Sequence, residues 1–284
     1  MTQYLIGAGA AKCGTTLLYE LLCAHPEIST APVKELHYFD REKSPDRAAY
    51  DRLFAGQGVK LDVTPVYLYY PECIEAIKQT LGANRVKLVV LLRDPIERAR
   101  SHYDMVRAHS PEPLSLPEAF EQEARRVALG GESRRLYSYF SRGRYAEQLD
   151  HLYRHIPRER VKVCLFEEFV RNQQRAIDGI CSFAGIGRIK VAPRHANPGI
   201  GDARIKWLQR LLKQMWLKLP GALKIAPLCR VGRLIARANA RPLERQPLDP
   251  AFRQRLTAYY ADDVAELRAR HGLDLSSWPN FPEP

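Results

Sequence analysis

Short aliphatic runs alternate with stretches of helical spacing along the first two thirds of the chain. Four runs are too short for helices and are typical of buried strands: residues 4–7, 59–61, 86–92 and 161–166. Between them, apolar residues recur three or four positions apart, which predicts helices that begin near residues 15, 72, 95 and 145. Strands alternating with helices indicate an α/β protein whose central, mostly parallel sheet is flanked by helices.

No internal repeat interrupts the 284 residues, and we expect residues 1–284 to form one domain. Sheets of this kind bind ligands beyond the carboxyl ends of their strands. We therefore look for chemistry directly after the candidate strands.

The charge balance points to an acidic ligand. The chain has 44 Lys or Arg against 32 Asp or Glu, a net charge of +12, which favours a phosphate or sulfate ester, nucleic acid or an anionic membrane surface. Residues 203–243 contain Lys and Arg but no Asp or Glu, and predict a basic, helical C-terminal segment. This segment either packs on the sheet, contacts an anionic membrane peripherally or faces the ligand.

Cysteine usage and the N-terminus predict a cytoplasmic protein. The six cysteines form no CxxC pair, which is typical of reduced core thiols rather than a metal or redox motif. No signal-peptide pattern precedes Tyr4, and no apolar run is long enough to span a bilayer.

The stretch GAGAAKCGTTLLYELL, residues 7–22, joins the first strand to the first helix. A glycine-containing turn at a helix start directs backbone N–H groups at an anion, and Lys12 adds a charge. The dinucleotide pattern G-x-G-x-x-G fails at Lys12, and the Walker pattern fails because Lys12 precedes Gly14. The simpler alternative is a helix cap formed by Thr15 or Thr16 without any ligand.

A second candidate anion site lies in LLRDPIERARSHY, residues 91–103. Arg93 follows the most aliphatic strand, and Ser101 lies within two turns of the next helix. An arginine fork and a hydroxyl together suit a phosphate group. The alternative is that Arg93 pairs with Asp94 or another carboxylate as a local structural link.

Together these two stretches resemble the sulfotransferases that use 3′-phosphoadenosine 5′-phosphosulfate (PAPS), over most of residues 4–185. The resemblance implies a P-loop-like, three-layer domain in which residues 12–16 hold the 5′-phosphosulfate: Lys12, Cys13, Gly14, Thr15 and Thr16. It also implies that Arg93 and Ser101 hold the 3′-phosphate. In SRGRYAEQL, residues 141–149, Arg144 or Tyr145 is expected to reach the donor.

The stretch KELHYFD, residues 34–40, resembles the K-E-x-H-F-F-D segment of the heparan-sulfate type and its bacterial relatives. The resemblance makes Glu35 the general base and Lys12 a catalytic cation. His37 is the second candidate for the base, and His37 and Asp40 are candidates to orient the acceptor. The alternative for Glu35 is a surface pair with Lys34.

The stretch DVTPVYLYY, residues 62–70, departs from the family pattern E-K-[TS]-P-x-Y, because Val63 replaces the lysine. Tyr67 is a candidate to stack on the acceptor.

The leading hypothesis is an enzyme that moves a sulfuryl group from PAPS, leaving 3′-phosphoadenosine 5′-phosphate (PAP). The acceptor is a hydroxyl, or in second place an amine, of a carbohydrate, glycolipid or small metabolite. We expect no metal and no nucleic-acid partner. The alternatives are a P-loop-like kinase and a non-catalytic protein that binds anions or nucleic acid.

Overall fold

The computed structural model describes residues 3–41, 44–110, 112–194 and 247–282 of the chain. The strands in these residues are β1 (Tyr4–Gly9), β2 (Ile28–Thr30), β3 (Val59–Val63), β4 (Val86–Leu92) and β5 (Val161–Leu165). They form one parallel sheet in the spatial order β2-β3-β1-β4-β5. In the central strand β1, Tyr4 lies opposite Lys60 of β3 and Val86 of β4.

Helices connect and cover the strands. They are α1 (Thr15–Leu22), α2 (Tyr38–Arg41), α3 (Arg47–Asp51), α4 (Pro71–Leu81), α5 (Pro95–His109), α6 (Leu116–Ala128), α7 (Gly131–Tyr137), α8 (Tyr145–His155), α9 (Phe166–Arg171), α10 (Gln173–Ala184) and α11 (Pro250–Ala269). Single 3₁₀ turns lie at Ala83–Arg85, Ser141–Gly143 and Arg158–Arg160.

Both faces of the sheet are covered. Every residue of β1 is buried, and β4 is buried except at Lys87. Since successive side chains of a strand point to opposite faces, this pattern requires packing on each side. The expected α/β arrangement of a parallel sheet between helices is confirmed.

The C-terminal part of the chain returns to the carboxyl edge of the sheet. Asp263 of α11 accepts the backbone N–H groups of Tyr145 and Ala146, at 2.9 and 3.0 Å, and so caps the start of α8. Beyond α11, Asn280 donates its backbone and side-chain N–H groups to Asp94, at 3.0 and 2.9 Å. These bonds fix two segments that border the edge.

The predicted elements are present, with shifted ends. β1 and β3 extend further than their aliphatic runs, to Gly9 and Val63. The expected strand at residues 161–166 is wrong at its last residue, because Phe166 begins α9. β2 was not predicted, since its three residues are too few to show a periodicity.

The described residues test two expectations from composition only in part. The cysteines of the described residues are free thiols, as expected: Cys13, Cys23, Cys73, Cys164 and Cys181. Cys229 and the basic segment 203–243 lie outside the described residues. Among the helices that are described, none has the length and apolar character needed to cross a bilayer.

Candidate active site

Both candidate anion-binding stretches lie at the carboxyl edge of the parallel sheet. β1 ends at Gly9 and leads into the loop before α1, while β4 ends at Leu92 immediately before Arg93. The segment that follows β2 carries Glu35 to the same edge. Parallel strands end together, so these segments meet where ligands of such sheets bind.

A left-handed turn shapes the loop before α1. Lys12 has a φ of 74° and Gly14 a φ of 84°, and Gly14 is the N-cap residue of the helix. A Cβ at Gly14 would lie 2.7 Å from the ring of Phe166, so both the backbone angle and the space require glycine. No side chain caps α1, which contradicts the alternative of a threonine cap. Its first N–H groups therefore face the edge of the sheet.

Side chains of this loop differ in their exposure. Lys12 and Thr16 are half-buried, Thr15 is buried and Cys13 is fully buried. Burial raises the pKa of the Cys13 thiol to about 11. We expected Cys13 to contact the ligand. This expectation is wrong for its side chain, which packs inward.

Tyr145 also lies beneath the loop rather than on its surface. It is fully buried, its hydroxyl is 3.8 Å from the Cys13 sulfur, and it donates to the carbonyl of Arg93 at 3.0 Å. The expectation that Tyr145 reaches the donor is corrected accordingly. It holds the two candidate anion-binding segments together from below.

Arg93 contacts the loop directly. Its Nη1 donates to the carbonyl of Lys12 at 3.4 Å, and its guanidinium lies 4.7 Å from the centre of the Phe166 ring. Asp94 is engaged elsewhere, since its Oδ1 accepts the N–H groups of Ile96 and Glu97 at the start of α5. The alternative of a local Arg93–Asp94 pair is therefore not what the structure shows.

Ser101 and the unpredicted Arg98 occupy one face of α5. Both are buried, Ser101 at 6 % and Arg98 at 0 % exposure. Arg98 donates from Nη2 to the carbonyl of Tyr139, whereas its Nε and Nη1 have no partner among the described residues. A buried guanidinium with unused donors requires an anionic or polar partner. The spacing of three residues to Ser101 was the available sequence signal.

Positive charge converges beside α5. Burial, together with the charges of Arg142, Arg98 and Lys12, holds the pKa of His102 well below its ordinary value. Three cations thus act on one buried ring, which stays neutral. Such a concentration of cations fits a multiply charged anion.

The second half of the site is built around Glu35. Glu35 and His37 both have left-handed backbone angles, with φ values of 61° and 52°. The Lys34 ammonium pairs with Glu35 Oε1, as the surface-pair alternative expects, and His37 Nε2 lies 3.7 Å from Glu35 Oε2. On its other side, His37 Nδ1 lies 2.9 Å from Asp40 Oδ2.

This arrangement separates the protonation states of Glu35 and His37. Burial alone raises the pKa of Glu35, but the hydrogen bond with His37 and the charge of Lys34 outweigh it and lower the pKa to about 2. The hydrogen bonds to Asp40 and Glu35 raise the pKa of His37 above its ordinary value. Glu35 is therefore ionised near neutral pH, beside an imidazole whose pKa the two carboxylates raise and the charge of Arg135 lowers.

Tyr67 lies under the Glu35 segment. It is fully buried, accepts the backbone N–H of Tyr38 at 3.0 Å and donates to Asp62 at 3.1 Å. Asp62 also accepts from Tyr50 and Thr64, at 3.0 and 2.6 Å. The expected acceptor contact of Tyr67 is corrected, because no surface of its ring reaches an acceptor. It positions the segment instead.

Val63 belongs to the core. It is 1 % exposed, and a Cβ on Gly7 would lie only 3.0 Å from its Cγ1. The departure from the family lysine thus replaces a charge with packing between β1 and β3.

A basic, aromatic cavity of about 350 Å³ lies on the acceptor side, and the exposed Arg144 is among its lining residues. Arg134 lies 4.7 Å from the centre of the Tyr70 ring and 5.2 Å from that of Tyr69. Arg135 Nη2 lies 3.4 Å from His37 Nε2, which joins the cavity side to the Glu35 segment. The arginines of α7 were not predicted, because their relation to Glu35 depends on tertiary packing.

The fold and these clustered cations define an α/β protein whose sheet edge suits a multiply charged anion beside an ionised carboxylate. The chain belongs to the sulfotransferase domain family, which matches residues 3–193. The resemblance to PAPS-dependent sulfotransferases is thereby confirmed at the level of the family.

Individual relatives support this assignment. Human heparan sulfate glucosamine 3-O-sulfotransferase 3B1 is 29% identical over 185 residues, which are 64% of this chain and 45% of the relative. Human heparan sulfate glucosamine 3-O-sulfotransferase 6 is 30% identical over 191 residues, 66% of this chain and 53% of the relative. The chain spans about half the length of the curated relatives it matches.

A solved structure shares the fold over nearly the whole chain. The sulfotransferase from Alicyclobacillus acidocaldarius superposes with a TM-score of 0.70 at 27% identity and covers 98% of each chain. The expected P-loop-like fold is therefore confirmed.

Proposed function

We propose that the protein is a PAPS-dependent sulfotransferase that transfers a sulfuryl group to a carbohydrate hydroxyl. The contact of Arg93 Nη1 with the Lys12 carbonyl carries this proposal, since it joins the two anion-binding segments at one edge of the sheet. Relatives named for 3-O-sulfation of glucosamine favour a carbohydrate hydroxyl over an amine, a glycolipid or a small metabolite.

The residues present fit the donor. The uncapped start of α1 and Lys12 suit the 5′-phosphosulfate, and Thr15 and Thr16 stand in the first turn. Arg93 and Ser101 are the candidates to hold the 3′-phosphate, and the buried Arg98, one turn before Ser101 on α5, has donors without a partner among the described residues. When bound, PAPS supplies an activated sulfuryl group. Lys12 holds positive charge at the loop, where negative charge develops during transfer.

Glu35 is the better candidate for the base. An ionised carboxylate accepts a proton from the acceptor hydroxyl, whereas both ring nitrogens of His37 already face charged neighbours. His37 Nδ1 lies 2.9 Å from Asp40, and its Nε2 lies 3.7 Å from Glu35 and 3.4 Å from Arg135. The low pKa of Glu35, about 2, keeps it ionised throughout the working range. His37, held by Asp40 at 2.9 Å, orients Glu35 from one side.

Calorimetric titration with PAP in the absence of magnesium tests the donor site. We expect saturable binding to the wild-type chain and a large loss of affinity for Arg93→Ala. ATP with Mg²⁺ is the matched alternative ligand for the kinase hypothesis. Failure to bind PAP beside good binding of ATP–Mg²⁺ would refute the proposal.

A transfer assay with radiolabelled PAPS tests the acceptor class. Glucosamine-containing oligosaccharides are compared with their N-acetylated and 3-deoxy analogues, and with a panel of small phenols and amines. Label in the oligosaccharide that disappears with the 3-deoxy analogue supports a carbohydrate hydroxyl. Label found only in phenols or amines contradicts a carbohydrate acceptor. The assignment of PAPS as the donor is then still tested separately, by the titration with PAP.

A further inference from the structure

Two histidines of α8 lie near one carboxylate of α4. His151 and His155 are one helical turn apart, and their ring centres are 4.7 Å apart. Glu75 on α4 lies beside them, with its Oε1 within 4 Å of the Nε2 atom of each ring. Nothing in the sulfuryl-transfer mechanism uses this group.

Distances in the cluster approach those of a metal coordination sphere. His151 Nε2 lies 3.7 Å and His155 Nε2 lies 3.8 Å from Glu75 Oε1, and all three ligand atoms lie within 4.8 Å of one another. With metal–ligand bonds of about 2.0–2.2 Å, tetrahedral zinc separates neighbouring ligand atoms by about 3.3–3.5 Å. To close the sphere, the two Nε2–Oε1 distances must shorten by about 0.2–0.5 Å, and the distance between the two imidazole ligand atoms, which is within 4.8 Å, by at most about 1.5 Å.

Binding also has an identifiable cost. His151 Nε2 lies 3.2 Å from the carbonyl oxygen of Pro71, and its Nδ1 lies 3.3 Å from Arg154 Nη2. A metal at Nε2 moves the ring proton to Nδ1, so both of these hydrogen bonds are given up. Arg154 is exposed, and its side chain is able to turn into solvent.

We propose that Glu75, His151 and His155 form a Zn²⁺-binding site that links α4 to α8, with water in the fourth position. Two imidazoles and a carboxylate are an established ligand set for zinc. His151 also borders the basic cavity beside Tyr69 and Arg134, so a bound ion adds positive charge at the rim of that cavity.

Calorimetric titration of the tag-free, reduced protein with ZnCl₂ at about pH 7.5, above the ordinary pKa of imidazole, tests the site. We expect one ion per chain in the wild type. His155→Ala and Glu75→Gln should each weaken binding by well over tenfold, since even loss of a second-layer partner costs about 10–100-fold. Glu72→Gln, on the same helix, is the matched control and should bind as wild type does. No saturable binding, or equal affinity in His155→Ala, would overturn the proposal.

Cobalt substitution gives an independent readout of the geometry. Four-coordinate Co²⁺ absorbs visible light far more strongly than six-coordinate Co²⁺, so the wild type should develop an intense visible band on titration with CoCl₂. The band should be lost in His151→Ala and kept in Glu72→Gln. A weak, six-coordinate spectrum, or a band that survives in His151→Ala, contradicts the assigned ligands.

Discussion

Replacing Tyr67 with phenylalanine removes one oxygen atom from beneath the segment that carries Glu35 and His37. This oxygen accepts the backbone N–H of Tyr38 at 3.0 Å and donates to Asp62 at 3.1 Å. The phenylalanine ring fills the same volume, so the substitution changes hydrogen bonding and leaves packing intact.

The magnitude follows from the lost bonds, of which there are three, because the Phe39 N–H also lies 3.5 Å from this oxygen. An N–H group left without a partner costs about 1–3 kcal/mol when it is buried, and Asp62 keeps its bonds from Tyr50 and Thr64. We expect the free energy of unfolding to fall by about 1–3 kcal/mol. Glu35 and His37, which have left-handed backbone angles, then lose a hydrogen bond that fixes their segment. We expect kcat to fall by about 10–100-fold, which is the effect of a small misplacement of a catalytic group.

Urea denaturation, steady-state kinetics and calorimetric titration with PAP separate these effects. PAP affinity should stay near that of the wild type, because the hydrogen-bond partners of Tyr67 lie outside the donor loop. Tyr153→Phe is the control, since the Tyr153 ring lies on α8 beneath Arg158, at 4.2 Å. If Tyr67→Phe unfolds at the wild-type urea concentration and retains the wild-type kcat, the positioning role is refuted.

Three further predictions concern the reacting groups. Glu35→Gln should lower kcat by about 10²–10⁴ with little change in PAP affinity, and unchanged turnover would exclude Glu35 as the base. Arg93→Ala should weaken PAP binding by about 10–100-fold in calorimetry, with Arg93→Lys intermediate, and equal affinity in all three chains would contradict the 3′-phosphate role. The raised pKa of His37 means that its stabilising contribution is complete below the unfolded value and is lost as pH rises through the folded value. The stability difference between wild type and His37→Gln in urea should therefore be larger at about pH 5.5 than at about pH 8.5, and a constant difference would contradict the His37–Asp40 pairing.

Local signals in the sequence were sufficient for the elements nearest the donor site. Val86–Leu92 is aliphatic and buried as expected, and Pro95 stands in the first turn of α5, where its missing N–H costs nothing. The position of Lys12 ahead of Gly14 was also informative, because both residues take left-handed angles in the turn. In each case the interaction that determines the local structure lies within a few residues of the sequence pattern that predicts it.

Contacts between distant parts of the chain could not be predicted in this way. Tyr67 was a candidate to stack on the acceptor, yet it is fully buried and its hydroxyl accepts the N–H of Tyr38. Asn280 bonds to Asp94 from the far end of the chain, and Arg98 is enclosed between α5 and the segment near Tyr139. Such partners are chosen by tertiary packing, which leaves no periodic pattern in the sequence.

The Lys34–Glu35 pair links acceptor binding to the strength of the base. A carboxylate whose pKa is about 2 is reliably ionised but has a low affinity for the proton it must accept. Lys34 occupies Oε1, so an acceptor hydroxyl that hydrogen-bonds to this oxygen displaces the ammonium group. With the Lys34 charge moved away and water excluded, one cause of the low pKa weakens and burial, which raises the pKa, becomes stronger, while the hydrogen bond with His37 continues to lower it. We therefore expect the proton affinity of Glu35 to rise when the acceptor is in place, which limits reaction of the activated donor with water before the acceptor binds.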